Sequence, residues 1–187
     1  MQGTIQLQTK RLLLRKHETE DAKVLYQQFG LNDEMFRYSG WNPYATEAMA
    51  EETIQHFIDS YPAPDFYGWA ITLGDHLIGT IGAYDYNEAE SSIEIGISIV
   101  QECWGQGYAS EALQSVLEYL TKEEKIKTVI AWCAEENIGS RRVMEKAGML
   151  FMQVEKGALL VNGKAYDKLN FSYHLDQGRE LWSDGKH

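Results

Sequence analysis

Apolar positions recur at two spacings along the chain, every second residue in some runs and every third or fourth in others, and their succession predicts the elements. KRLLLRK (Lys10 to Lys16) sets Leu12, Leu13 and Leu14 between polar flanks and predicts a strand. HETEDAKVLYQQF then carries Ala22, Leu25 and Phe29 on one helical stripe, with Thr19 as the expected N-cap and Gly30 as the stop. Thr46 to Tyr61 has the same character, capped by Thr46, with Met49, Ile54, Phe57 and Ile58 as its apolar set and Pro62-Ala63-Pro64 as its breaker. Two β-rich runs, Gly68 to Leu73 and Leu77 to Tyr86, flank Gly74–Asp75 and predict a hairpin. Ile93 to Val100 reads as the next strand. Its alternation places Ile93, Ile95, Ile97 and Ile99 on one face and Glu94, Gly96 and Ser98 on the other. From near Tyr108 the spacing of Ala109, Ala112, Leu113, Val116, Leu117 and Leu120 predicts a helix. A strand over Lys127 to Cys133 follows, then a short helix closed by Gly148. Two last β runs, Met149 to Val154 and Tyr166 to Tyr173, surround a turn at Asn162–Gly163.

The predicted order is β, α, α, three strands, α, β, α, β, β. That order implies an α/β (α+β) fold whose mixed sheet is antiparallel early and has a parallel crossover around the helix at residues 108–122. With 187 residues the chain suits one domain, expected over residues 1–174, followed by a polar tail at 175–187. No apolar run approaches the roughly 20 residues needed to cross a bilayer, so no membrane partner is expected. The N-terminal stretch lacks the apolar core and cleavage site of a signal peptide, and the expected compartment is the cytoplasm. Cys103 and Cys133 have neither CxxC nor zinc-ligand spacing; reduced, structural cysteines and no bound metal are expected. The net charge of −11, from 28 acidic and 17 basic residues, comes without a basic stripe and argues against nucleic acid as a partner. An acidic surface either draws in a cationic substrate or simply keeps the chain soluble.

Candidate chemistry concentrates in WGQGYASEAL (Trp104 to Leu113), where two glycines stand between a strand and a helix. Glycine there permits a sharp turn and leaves amide N–H groups uncovered, and at a helix N-terminus such groups form an anion site. A dinucleotide fingerprint fits poorly. The third glycine is replaced by Ser110, the acidic partner is misplaced, and about 100 residues precede a motif that normally opens its fold. A P-loop fails because no Lys-Ser or Lys-Thr follows the glycines. A tight turn without a ligand stays open.

The motif resembles the coenzyme A loop, Q/R-x-x-G-x-G/A, of the GNAT superfamily of N-acetyltransferases, with Trp104 standing where the family usually has Gln or Arg. EIGISIV, WGQGYASEAL and ENIGSRRVMEKAGM together, with TKRLLLRKHETEDA and NGKAYDKLNFSY at the two ends, resemble the branch containing the ribosomal-protein-alanine N-acetyltransferases. The resemblance implies a single-domain GNAT fold, with a mostly antiparallel sheet splayed at an acetyl-CoA site and flanked by helices. It implies that the pyrophosphate rests on Trp104, Gly105, Gln106, Gly107, Tyr108, Ala109 and Ser110. It also implies that pantetheine pairs with the backbone of Ile97, Ile99 and Val100. Asn137 is then a pantetheine ligand, a helix cap, or both. The family's usual proton-donating tyrosine falls at Met144, which cannot donate, so Ser140 becomes the candidate to bond the leaving sulfur.

Glu94 is the expected general base, at a strand position where several GNAT enzymes carry a catalytic glutamate; a purely structural carboxylate is the competing reading. A carboxylate among isoleucines would have its pKa raised toward neutrality. The aromatic stretch EMFRYSGWNPYAT (Glu34 to Thr46) could wall the acceptor site through Phe36, Tyr38, Trp41 and Tyr44, with Tyr84 close by; the alternative is that these rings pack the loop onto the sheet. The expected activity is transfer of acetyl from acetyl-CoA to a primary amine, a protein N-terminus or a small molecule, by direct attack in a ternary complex. A catalytically silent CoA-binding module is the alternative, and a homodimer is left open.

Overall fold

A computed structural model describes residues 1–174, and the expected polar tail at 175–187 lies outside them. Eight strands form one sheet: β1 (Leu7–Gln8), β2 (Leu13–Arg15), β3 (Tyr67–Leu73), β4 (His76–Asn87), β5 (Ser92–Ile99), β6 (Thr128–Ala134), β7 (Leu150–Val161) and β8 (Lys164–His174), in the order β1-β2-β3-β4-β5-β6-β8-β7. Every neighbouring pair is antiparallel except β5 and β6, which run parallel. The helices are α1 (Asp21–Leu25), α2 (Glu47–Ser60), α3 (Tyr108–Glu118) and α4 (Ile138–Lys146). The predicted order of elements is therefore observed, with the two-residue β1 added at the start.

Both faces of the sheet are covered. On one face Trp69 meets Tyr119 edge-on at 6.1 Å, and Ile93, Ile95, Leu113, Val116 and Leu117 are buried in the same core as α3. On the other face α2 lies so close to β3 that a Cβ at Gly68 would collide with the ring of Phe57. Near-complete burial on both faces explains why β3 reads as a continuous apolar run, whereas β5 shows clean alternation.

Two caps illustrate how local chemistry sets the ends of helices. Thr46 caps α2 as expected, its hydroxyl accepting from the Met49 N–H at 3.1 Å. Thr19 does not cap α1. The Asp21 carboxylate accepts the Glu18 N–H at 2.9 Å, and the chain enters the helix one residue later, with Glu20 flanking it and no side chain on the first amides. The predicted single helix is also split, since after Leu25 it loosens into a π turn over Tyr26–Gly30. At Gly30 a side chain would strike the carbonyl of Tyr44, so glycine here both ends the helix and lets the aromatic loop fold back over it.

Candidate active site

The parallel pair β5–β6 is joined only over Ser92–Glu94 and Thr128–Ile130. Beyond Glu94, β5 stays paired with β4 as far as Ile99, and β6 stays paired with β8 as far as Ala134. Each strand therefore follows its outer neighbour, and a gap opens between them with backbone polar groups on its walls. Alternation fixes which groups line it. The Ser91 carbonyl points toward β6, accepting from Lys127 and Thr128, while the Val100 N–H points the other way and donates to the Ile78 carbonyl of β4. The amides of Ile97 and Ile99 thus face the gap. Val100 departs from expectation: its N–H is used by Ile78 of β4, and its carbonyl already accepts from Cys103. The Ile99 carbonyl is likewise taken, by the Trp104 indole N–H at 2.7 Å.

That hydrogen bond gives Trp104 a defined place. Its ring, 49% exposed, ties the glycine loop back to the end of β5. Gly105 and Gly107 adopt φ of +74° and +82°, a region that costs other residues strain, and α3 begins at once. No side chain caps α3, and among the described residues no protein acceptor takes the amides from Gly105 through Ser110. Six consecutive N–H groups are thus left without a protein acceptor at the positive end of a helix dipole. Arg11 stands beside them. Its guanidinium donates to the Gln106 carbonyl at 3.0 Å and to Glu111 at 2.7 Å, and it lies 4.4 Å from the centre of the Tyr108 ring. Burial pushes the Glu111 carboxyl up, but hydrogen bonds from Thr9 and Arg11 outweigh it and hold the group below its ordinary value. Sequence reasoning missed Arg11, because only the β1–β2 turn brings residue 11 to the loop.

Glu94 sits at the vertex of the gap. Its side chain points away from the isoleucine face, so it is not set among isoleucines as the sequence reading supposed. Its Oε1 accepts from the Trp132 indole at 2.6 Å and from the Tyr84 hydroxyl at 3.1 Å. Burial first, and the nearby Glu94 charge second, push the Tyr84 hydroxyl well above its ordinary value, so it remains a donor at neutral pH. Trp132 was not anticipated. Its signal lies in register, since Glu94 pairs with Ile130 and Trp132 follows two residues later on the same face.

At the far side of the gap Asn137 caps α4, its side-chain oxygen accepting from the Ser140 N–H at 3.1 Å. The cap sets Ser140 on the first turn, half-buried, with no protein partner for its hydroxyl among the described residues. Met144 is 3% exposed and packs in the core.

The aromatic loop divides. Tyr44 is 5% exposed, packs edge-on against Phe29, and is part of the core, with burial pushing its hydroxyl up to about 12; it is not an acceptor wall. Tyr38 donates to the Glu136 carbonyl at 3.2 Å and meets Tyr166 edge-on, so the loop reaches across to β8 and the approach to α4. Trp41 and Tyr84, 65% and 45% exposed, remain open to solvent. Among the described residues no group of three or more His, Cys, Asp or Glu converges as a metal site, and no helix is long and apolar enough to cross a membrane.

The free strand edge beside Ile97 and Ile99 and the bare N-terminus of α3 are orphaned backbone groups at the two ends of one slot, and they fit a long ligand with amides and a pyrophosphate. Comparison with known proteins agrees. Residues 11–150 match the acetyltransferase (GNAT) domain family. The N-acetyltransferase YoaA of Bacillus subtilis is 32% identical over 163 residues, 86% of this chain and 92% of that protein. The ribosomal-protein-serine acetyltransferase of Escherichia coli is 25% identical over 151 residues, 80% of this chain and 84% of its own. RimL, a ribosomal-protein α-N-acetyltransferase solved in complex with coenzyme A, shares the fold with a TM-score of 0.83 at 18% identity, covering 92% of this chain and 99% of that one. The chain belongs to the GNAT family and is an acetyl-CoA-dependent N-acetyltransferase.

Proposed function

We propose that the acceptor is the α-amine of a protein or peptide N-terminus, deprotonated by Glu94 and acetylated in a ternary complex. The observation that carries this reading is the placement of Glu94, whose one carboxylate oxygen is held by two donors at the vertex of the strand gap. The openness of the surroundings, with Trp41 and Tyr84 exposed, suits an acceptor that arrives as the end of a chain. The Escherichia coli relative, which acts on ribosomal-protein serine, supports the same class.

Acetyl-CoA supplies an acetyl group activated as a thioester. On the protein's side, the loop amides from Gly105 to Ser110 hold the pyrophosphate, and the amides of Ile97 and Ile99 hold the pantetheine arm along β5. A backbone N–H near Ile97 donates to the thioester oxygen as charge gathers on it, a contribution of about 3–4 kcal/mol for one such donor. Glu94 takes one proton from the acceptor ammonium. The freed amine nitrogen forms the C–N bond as the C–S bond breaks, and its second proton passes to the departing sulfur, to which the Ser140 hydroxyl donates a hydrogen bond. An ammonium and acetyl-CoA thus give an amide, the free thiol and one proton.

The test is thiol release from acetyl-CoA with N-terminal Ser and Ala peptides beside small primary amines, for the wild type and Glu94→Gln. Faster release with the peptides is expected, together with a loss of about 10²–10⁴-fold in kcat/KM for the variant at neutral pH. Part of that loss should return toward pH 10, where free amine needs no base. Parallel profiles for the two proteins from pH 6 to 10 would remove Glu94 from the base role, and preference for small amines would overturn the acceptor.

A further inference from the structure

We propose that Trp132 and Tyr84 are positioning residues, which clamp Glu94 by one carboxylate oxygen so that the other is free for the acceptor amine. The proposal rests on the reading of Glu94 as the base. Both donors converge on Oε1, Trp132 Nε1 at 2.6 Å and the Tyr84 hydroxyl at 3.1 Å, and among the described residues no donor reaches Oε2. The two come from different strands. Tyr84 lies on β4 directly opposite Glu94, and Trp132 lies on β6, two residues past the last paired position, Ile130. The indole therefore ties β5 to β6 where their backbone ladder has already ended. A glutamate at the last paired position of the β5–β6 ladder, with the gap opening beside it, would otherwise sample several rotamers, most of them out of reach of an incoming amine.

The chemistry of the donors suits the task. An indole N–H has no second role as an acceptor, and the Tyr84 hydroxyl, held up by burial and by Glu94, stays protonated. Neither competes for the acceptor's proton. The Lys168 ammonium lies 5.3 Å from the centre of the Trp132 ring, where a cation draws electron density from the indole and makes its N–H a stronger donor. The proton passes from the acceptor ammonium to Oε2, leaving a neutral amine and a neutral carboxyl whose Oε1 keeps both of its hydrogen bonds.

The test is a double-mutant cycle on the full chain with acetyl-CoA and an N-terminal Ser peptide. Trp132→Phe keeps an aromatic ring and removes the N–H. We expect kcat to fall about tenfold while KM for acetyl-CoA stays within about twofold, and the same change in a Glu94→Gln background to alter kcat by less than about twofold. Tyr84→Phe should behave alike, with a smaller fall. A wild-type kcat in Trp132→Phe, or an equal loss in both backgrounds, would overturn the clamp while leaving Glu94 as base. A wild-type rate in Glu94→Gln alone would instead overturn the reading of the base, and the clamp with it. A measurement without turnover closes the test. The indole N–H resonance that disappears in Trp132→Phe should move in Glu94→Ala, and an unmoved signal would show that the hydrogen bond is absent.

Discussion

Gly107 shows how much one residue can decide. Its φ of +82° opens the turn into α3, and the site its Cβ would occupy lies 3.4 Å from Arg11 Nη2. A side chain there would strain the backbone, and a carboxylate would meet the amides meant for phosphate. Gly107→Glu should therefore weaken acetyl-CoA binding at least tenfold, about 1.4 kcal/mol, measured by calorimetry on the folded variant. Gly157→Glu is the control. It has φ +60° and open space, and lies on β7, so it carries the same strain and charge away from the loop and should leave binding unchanged. Normal binding by folded Gly107→Glu would remove the loop from the anion site. Single residues also limit what is readable. The loss of a proton donor at Met144 was plain in the sequence, whereas its burial in the core became visible only when α4 was placed.

The junction of β2 and α1 carries its prediction at the level of the element. Arg15 bonds both Asp21 carboxylate oxygens at 2.8 Å, and the same carboxylate accepts the Glu18 N–H and lies 3.3 Å from His17 Nδ1. Burial by itself would push Asp21 up, but the bonds from Arg15, His17 and Glu18 more than offset it and hold the carboxyl well below the usual range. The folded chain therefore holds this group charged more firmly than the unfolded chain, where it titrates near about 3.9. Its contribution is complete above that pH and is lost as pH falls toward the lower folded value. Asp21→Asn should cost about 3 kcal/mol at pH 7, by denaturant unfolding, because it leaves Arg15 without its charge partner. The gap between the two proteins should hold steady down to about pH 4 and narrow below it. A gap that does not change with pH would mean that shape, and not charge, makes the junction. Thr19 lost the capping role because backbone carbonyls already take the amides it would accept: the Asp21 N–H donates to the Glu18 carbonyl at 3.0 Å and the Ala22 N–H to the Thr19 carbonyl at 3.3 Å.

For the whole molecule the relevant quantity is the net charge of −11. It should favour approach of a cationic acceptor and oppose approach of acetyl-CoA, an anion that relies on the local field of α3. Raising salt from about 0.05 to 0.5 M shortens the reach of charge several-fold, so KM for a cationic peptide should rise while KM for acetyl-CoA falls or holds, both read from steady-state kinetics. A rise in both would mean that local contacts govern both ligands. The division between sequence and structure follows the range of the forces involved. Periodicity, caps and turn residues act over a few positions, so the strands, the helices, the glycine loop and the face on which Glu94 stands were legible from the order of residues alone. So was the parallel crossover, because a helix between two strands leaves little other choice. Contacts between distant positions were not legible. The Arg11–Gln106 bond, the Tyr44 ring in the core, the Val100 amide turned toward Ile78 and the two donors on one oxygen of Glu94 depend on which strands lie side by side and where β5 parts from β6. Only the tertiary structure decided these, because each joins residues far apart in the sequence, and where distant strands pair and part follows from the twist of the whole sheet and not from a local pattern.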